Sequence, residues 1–179
     1  DPLDQRNWDA NLSVLSGDID SNDLTNSSGV VLTTTHIVGL NSYHVLVASA
    51  VGSSTVLDGF TITAGYADGS APPGGGLLSD SGGGVFASQK ASPVLRRLVF
   101  SANYAVYGGG GLYSYDSQPA LNDLVFKKNS SQTYGGAMYI NYSDLQMQDV
   151  TFTGNSSYTA GALDCENSSP NLRDVAFVE

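Results

Sequence analysis

Phe100-Ser101-Ala102-Asn103, Phe126-Lys127-Lys128-Asn129 and Phe152-Thr153-Gly154-Asn155 each set a phenylalanine three residues before an asparagine, and the copies stand 26 residues apart. Phe177 continues the series after 25 more residues. A glycine-bearing signal runs beside it: Gly83-Gly84-Val85, Gly110-Gly111-Leu112, Gly135-Gly136-Ala137 and Ala160-Gly161-Ala162. Leu95, Leu121, Met147 and Leu172 form a third register, preceded by Ser92-Pro93, Gln118-Pro119 and Ser169-Pro170 in three copies. Three registers that hold phase over four copies identify an internal repeat, and the repeat decides the fold.

The segments between these markers are short and rich in Gly, Ser, Thr and β-branched residues, which disfavours helix. Leu98-Val99-Phe100, Leu124-Val125-Phe126, Val150-Thr151-Phe152 and Val175-Ala176-Phe177 alternate as strands do, with the first and third residues on one face. A repeat of this length with three short strands and three turns predicts one coil of a parallel β-helix. Each strand then pairs with its counterpart one coil away, about 4.8 Å distant. The L-x-x-L-x-L signature of leucine-rich repeats is missing, and a β-sandwich would not keep a fixed period.

Stacking turns each repeat position into a column. Phe60 and Ile62, Leu98 and Phe100, Leu124 and Phe126, Val150 and Phe152, and Val175 and Phe177 form the expected inward face. Each such side chain contributes roughly 1.5–3 kcal/mol when buried. Asn103, Asn129 and Asn155 are expected to form a ladder at an inward bend, where a side-chain amide satisfies turn backbone and the amide above it. After the glycines, Phe86 and Ser88, Tyr113 and Tyr115, Met138 and Ile140, and Leu163 and Cys165 are read as inward. Asp123, Asp149 and Asp174 stack as an acidic ridge that Arg97 continues.

The whole chain, 1–179, reads as one domain, with irregular coils over 1–82 and regular ones over 83–179. Thr55 to Thr63 aligns with Pro93 to Ser101, and Gly65 takes the asparagine position. Val30 to Leu32 and His44 to Val47 are read as earlier strands, with exposed loops at 18–29 and 67–82. The chain opens Asp1-Pro2-Leu3-Asp4, unlike a signal peptide, and closes on Val175-Ala176-Phe177-Val178-Glu179 inside a strand pattern. The expectation is a piece of a longer chain, with any export signal or anchor outside it.

Seven Lys and Arg against 17 Asp and Glu give a net charge of −10, which argues against nucleic acid and anionic membranes as partners. Only 13% of residues are charged, yet 41% are hydrophobic, so disorder is not expected. The lone Cys165 cannot form an internal disulfide. The uncharged stretch from His36 to Leu57 is broken by Asn41, Ser42, His44 and several serines, so it is not read as a membrane span.

The paired FxxN and GGA-type motifs resemble the polymorphic outer-membrane-protein repeat of large exported bacterial surface proteins. GGA is strict at Gly135-Gly136-Ala137, with GGV, GGL and AGA elsewhere. The stretch from Asn7-Trp8-Asp9-Ala10-Asn11 to Leu57-Asp58-Gly59-Phe60-Thr61-Ile62-Thr63 is similar to the region before those repeats. The resemblance implies a right-handed parallel β-helix at an extracellular or cell-surface location. It also implies a scaffold or adhesin role, with surface proteins, glycans or further copies of the chain as partners.

Candidate chemistry is sparse. A polysaccharide hydrolase needs two carboxylates about 5–9.5 Å apart across a sugar, and a lyase needs a cationic base near a carboxylate-bound calcium ion. The ridge Asp123, Asp149 and Asp174 lacks a compact set of companion polar groups, so a non-catalytic role is expected, with a polysaccharide-binding or polysaccharide-degrading protein as the alternative. Asp18-x-Asp20-x-Asn22-Asp23 offers oxygen ligands at alternating places, as calcium loops do, but Asp23 stands where an EF-hand has glycine. Thr61-Ile62-Thr63 and Thr151-Phe152-Thr153 are not extended into the regular threonine array that ice binding would need. His36 and His44 have no matching ligand set. Among ten tyrosines, Tyr66, Tyr104, Tyr107, Tyr134 and Tyr158 fall near turns, where they suit contact with a partner or a glycan.

Overall fold

The computed structural model describes residues 7, 8, 10–69 and 79–178. It is built almost wholly of short strands, β1 (Ser13–Ser16), β2 (Leu46–Ser49), β3 (Val56–Asp58), β4 (Phe60–Thr63) and β5 (Tyr66–Ala67) coming first. The next five are β6 (Val85–Ser88), β7 (Val94–Ser101), β8 (Tyr104–Ala105), β9 (Leu112–Tyr115) and β10 (Ala120–Lys127). The last are β11 (Ser130–Ser131), β12 (Met138–Asn141), β13 (Gln146–Thr153), β14 (Leu163–Glu166) and β15 (Asn171–Val178). Three sheets result. The first runs β1-β4-β7-β10-β13-β15 with β3 also beside β7, the second β2-β6-β9-β12-β14, and the third β5-β8-β11. Every pairing between these strands is parallel.

The register follows the repeat. Leu98 pairs with Leu124 and that with Val150, while Phe100, Phe126, Phe152 and Phe177 lie side by side. Their rings stack at centroid spacings of 4.4, 5.1 and 5.1 Å, each pair within 15° of parallel. Phe100, Phe126 and Phe152 are fully buried, whereas Phe177 on the edge strand β15 is 56% exposed. Ile62, Leu95, Leu98, Leu121, Leu124, Met147 and Val150 share this core with Val85, Leu112, Met138 and Ile140 from the second sheet.

Leu95 and Leu98 are both buried although three residues apart, which a flat strand forbids. Arg97, Asp123, Asp149 and Asp174 resolve the conflict. Each has a positive φ, between 51° and 55°, and each drops out of the strand pairing, so the strand is bulged and its parity resets. Aspartate tolerates this left-handed backbone better than most residues. The acidic ridge is therefore a row of bulge positions. In the equivalent place of the earlier repeat stands Gly59, at φ 78°.

Two readings are corrected. In the second sheet, Val85 pairs with Leu112 and Leu112 with Met138, so the inward set is Val85 and Ala87, Leu112 and Ser114, Met138 and Ile140, Leu163 and Cys165. Phe86, Ser88, Tyr113 and Tyr115 face the other way. The glycine motif slips by one: the left-handed positions are Gly82, Gly109 and Gly135, at φ 68°, 64° and 48°, which brings Gly111 level with Ala137 rather than Gly136. The middle of the motif tolerates no side chain, since a Cβ on Gly110 would lie 2.3 Å from the Ser130 carbonyl oxygen.

Val30 to Leu32 is not a strand of the repeat. Residues 18–41 form an excursion between Gly17 and Ser42, whose backbones stay bonded by the Ser42 N–H to the Gly17 carbonyl at 2.8 Å. The excursion includes the 3-10 turn Thr34–His36. It folds back so that Val31 is buried against Ala64 and Ala102, and its carbonyl accepts from Ser101 Oγ at 2.9 Å. Most of the 67–82 loop lies outside the described residues.

Candidate functional site

Where the third sheet meets the core, the asparagines form one continuous chain of amides. Asn129 Oδ1 accepts both the backbone N–H and the Nδ2 of Asn103, each at 3.0 Å. Asn155 Oδ1 does the same for Asn129, at 2.9 and 3.0 Å. Nδ2 of Asn103, Asn129 and Asn155 donates to the carbonyls of Ile62, Phe100 and Phe126 respectively. The Gly65 N–H donates to Asn103 Oδ1, closing the series. A second ladder, which sequence reasoning missed, sits at the turn after the second sheet. Ser117 Oγ accepts the Ala91 N–H, Ser143 Oγ that of Ser117, and Ser168 Oγ that of Ser143. Its signal was present, because Ser117, Ser143 and Ser168 keep the same 26- and 25-residue steps.

The Asp18, Asp20, Asn22 and Asp23 loop spends its carboxylates on itself. Asp18 accepts the N–H groups of Asn22 and Asp23. Asp20 Oδ2 accepts from Asn22 Nδ2 and the Leu40 N–H, and Asp23 accepts from the Val38 N–H and Asn41 Nδ2. Among the described residues no three His, Cys, Asp or Glu come together as a group that could hold a metal ion. Of the ridge, Asp149 accepts from Gln148 Nε2 and Asp174 lies 3.4 Å from Arg173 Nε, both in exposed surroundings. Asp58 meets two guanidiniums: Arg97 donates to both its oxygens at 2.7 and 2.5 Å, and Arg96 Nε lies 3.1 Å away.

The outer face of the second sheet carries the densest unassigned chemistry. Phe86, Tyr113 and Tyr139 stand in one outward row, yet each is at most 3% exposed. His44 covers one end and the turn residues Tyr107 and Tyr134 cover the other, with centroids 5.1–5.9 Å from their nearest neighbours in the row. Tyr139 donates its hydroxyl to Glu166, which also accepts from Asn141 Nδ2 at 3.2 Å. Burial first, and then that hydrogen bond, push the Tyr139 phenol above its usual range, so it remains a proton donor. Burial also raises the Tyr113 phenol, with Tyr107 adding to the effect. The wall continues through Tyr115, 6.4 Å from Tyr113, to Tyr142, 6.1 Å further on and set edge-on. There it opens into a pocket of about 370 Å³ lined by Lys90, Ser92, Asp116, Ser117, Gln118 and Tyr142.

His44 and Cys165 have structural settings. The His44 Nδ1 lies 3.0 Å from the Gly82 carbonyl, which can only accept, so Nδ1 carries the proton. Burial dominates and lowers the His44 pKa below its ordinary 6.5, against the hydrogen bonds to Gly82 and Ser81 and the charge of Asp80. An imidazole that resists protonation only when folded contributes stability that is complete above 6.5 and declines as pH falls from there toward the lowered value. Chemical denaturation between pH 7.5 and 5.5 should therefore show falling stability, and His44→Phe should flatten that slope. Cys165 faces inward but is exposed, because β14 ends its sheet. Partial burial of the thiol, and then the charge of Asp164, raise its pKa, which makes it a poor nucleophile.

Comparison of the chain with protein-family models, curated proteins and solved structures returned no match. Among the described residues no helix is long and apolar enough to cross a membrane.

Proposed function

We propose that the chain is a segment of a right-handed parallel β-helix that serves as a non-catalytic scaffold or adhesive stalk on an exported surface protein. One observation carries the reading: the repeat columns are consumed by packing, ladders and bulges, while the aromatic wall on the second sheet ends in an open rim. The right-handed sense is supported by the all-parallel pairing of successive repeats, since parallel crossovers are right-handed in about 98% of cases. The FxxN and GGA-type resemblance supports a place among the polymorphic outer-membrane-protein repeats and a cell-surface location. Attachment to glycans, to other surface proteins or to further copies of the chain is the activity such a scaffold offers.

The non-catalytic part is supported by where the acidic residues sit. Asp123, Asp149 and Asp174 stand at left-handed bulges of the backbone, Asp58 is met by two arginines, and Glu166 accepts from Tyr139. The test is incubation with a panel of fluorescently labelled polysaccharides followed by size analysis. No shortening is expected. Release of labelled oligosaccharides that tracks the protein through purification would overturn the proposal.

A further inference from the structure

We propose that the pocket beside Tyr142 is a subsite for a neutral glycan, one that takes one or two sugar units at the end of the aromatic wall. The inference rests on the non-catalytic attachment reading and adds to it a place and a ligand class.

Shape and apolar surface come first. Tyr142 and Tyr115 are 59% and 42% exposed, against at most 3% for the row behind them, so the wall opens to solvent at this end. Their rings meet at 89°, and the Tyr142 ring lines the pocket while Tyr115 stands edge-on beside it. An aromatic ring with a wet hydroxyl edge suits a pyranose, whose C–H face is apolar and whose rim is polar. A volume near 370 Å³ falls at the small end of ligand pockets, the right scale for one or two sugar units rather than a long chain.

The polar groups select the class. Lys90 only donates, Asp116 only accepts, and Gln118 and Ser92 do both. A polyol, whose hydroxyls donate and accept alike, matches that mixture. One cation and one carboxylate leave the lining without net charge, and the chain as a whole carries −10, so a polyanionic glycan is repelled. Among the described residues the side chains of Lys90, Asp116 and Gln118 make no hydrogen bond or salt bridge, and their bonding capacity faces the pocket and solvent.

The floor is rigid. Ser117 is buried, its Oγ takes the Ala91 N–H, and its own N–H goes to Ser143 Oγ at 3.2 Å. The Lys90 N–H donates to the Asp116 carbonyl at 2.7 Å, and the Gln118 N–H to the Ala91 carbonyl at 2.8 Å. Lys90, Asp116 and Tyr142 all sit at positive φ, so the serine ladder holds three successive turns in one shape. Side chains displayed from such a frame lose little freedom on binding.

The experiment is a two-dimensional amide NMR titration of the full chain with neutral gluco-, manno-, galacto- and xylo-oligosaccharides, with oligogalacturonate as the anionic comparison. At least one neutral sugar should shift the amides of Tyr115, Asp116, Ser117, Gln118 and Tyr142 at millimolar concentration. Tyr142→Ala and, separately, Gln118→Ala should each weaken that binding about tenfold, while Tyr158→Ala, at an 88% exposed residue with no ring contact to the wall, should not. Amide dispersion reports whether each variant is folded, and Gln118, being exposed, tolerates truncation. The proposal fails if no neutral sugar moves those amides, if only oligogalacturonate does, or if both pocket variants bind as the parent does. Chromatography of the titrated sugars keeps the two readings apart, because shortened products would sink the non-catalytic reading and leave the subsite standing.

Discussion

Asn129→Ala is expected to lower the unfolding free energy by roughly 3–5 kcal/mol. The Asn129 amide is fully buried and joins three repeats. Truncation removes four hydrogen bonds, each worth about 0.5–1.5 kcal/mol, and leaves the Asn103 N–H without its acceptor in a dry interior. Asn129→Asp keeps the acceptor for Asn103 but loses the donor to Phe100, so it should also destabilise. Asn155→Ala should cost less, because Asn155 is only partly buried. Urea denaturation measures all three. A loss below about 0.5 kcal/mol for Asn129→Ala would mark the site as an ordinary surface position.

Phe126→Ala should cost about 3–5 kcal/mol, the usual range for a large aromatic in a close-packed core. Its ring lies between Phe100 and Phe152, at 4.4 and 5.1 Å, and it has no exposed surface. Truncation therefore opens a cavity that neighbours fixed by the strand register cannot fill. Phe177→Ala changes the same residue type in the same column but at an edge strand, where more than half the ring is exposed. It should cost no more than about 1 kcal/mol. Equal losses at the two positions in the same denaturation series would contradict a graded stack.

The repeat made the first sheet readable because Phe and Asn do there what only they can do. A phenylalanine column declares its neighbours by size, and an asparagine at a bend declares a need for amide partners. The second sheet was less legible because its anchors are glycines, and a run of two to four glycines has no unique phase. Counting from Gly135-Gly136-Ala137 put Met138 level with Phe86 and Tyr113, whereas the left-handed Gly82, Gly109 and Gly135 set the true alignment and turn the tyrosines outward. Excursion 18–41 was hidden for another reason. Val30-Val31-Leu32 has strand composition, but Val31 is buried by folding back onto the third sheet's corner, a tertiary contact that local pattern does not encode.

The candidate site was half visible. Tyr107 and Tyr134 stood out as turn residues suited to contact, yet two members of the row that they cover, Phe86 and Tyr113, were assigned to the interior. Asp116, Gln118 and Lys90 were not read as site residues, because together they form no motif. Only the stacking of successive turns over the serine ladder sets them around Tyr142. The acidic residues of the ridge are conspicuous by charge, yet their backbone angles show a conformational role. An aspartate at a left-handed bulge serves the backbone first and the surface charge second.

The measurement that bears most directly on the whole account is an isotope-edited NOE spectrum of the folded chain. Stacked parallel repeats require cross-peaks between the side-chain amide of Asn129 and the backbone N–H of Asn103, 26 residues away. They also require cross-peaks running from Leu98 to Leu124 to Val150, and among the rings of Phe100, Phe126 and Phe152. Rings of those three phenylalanines that share no cross-peaks, or strand contacts in antiparallel order, would contradict it.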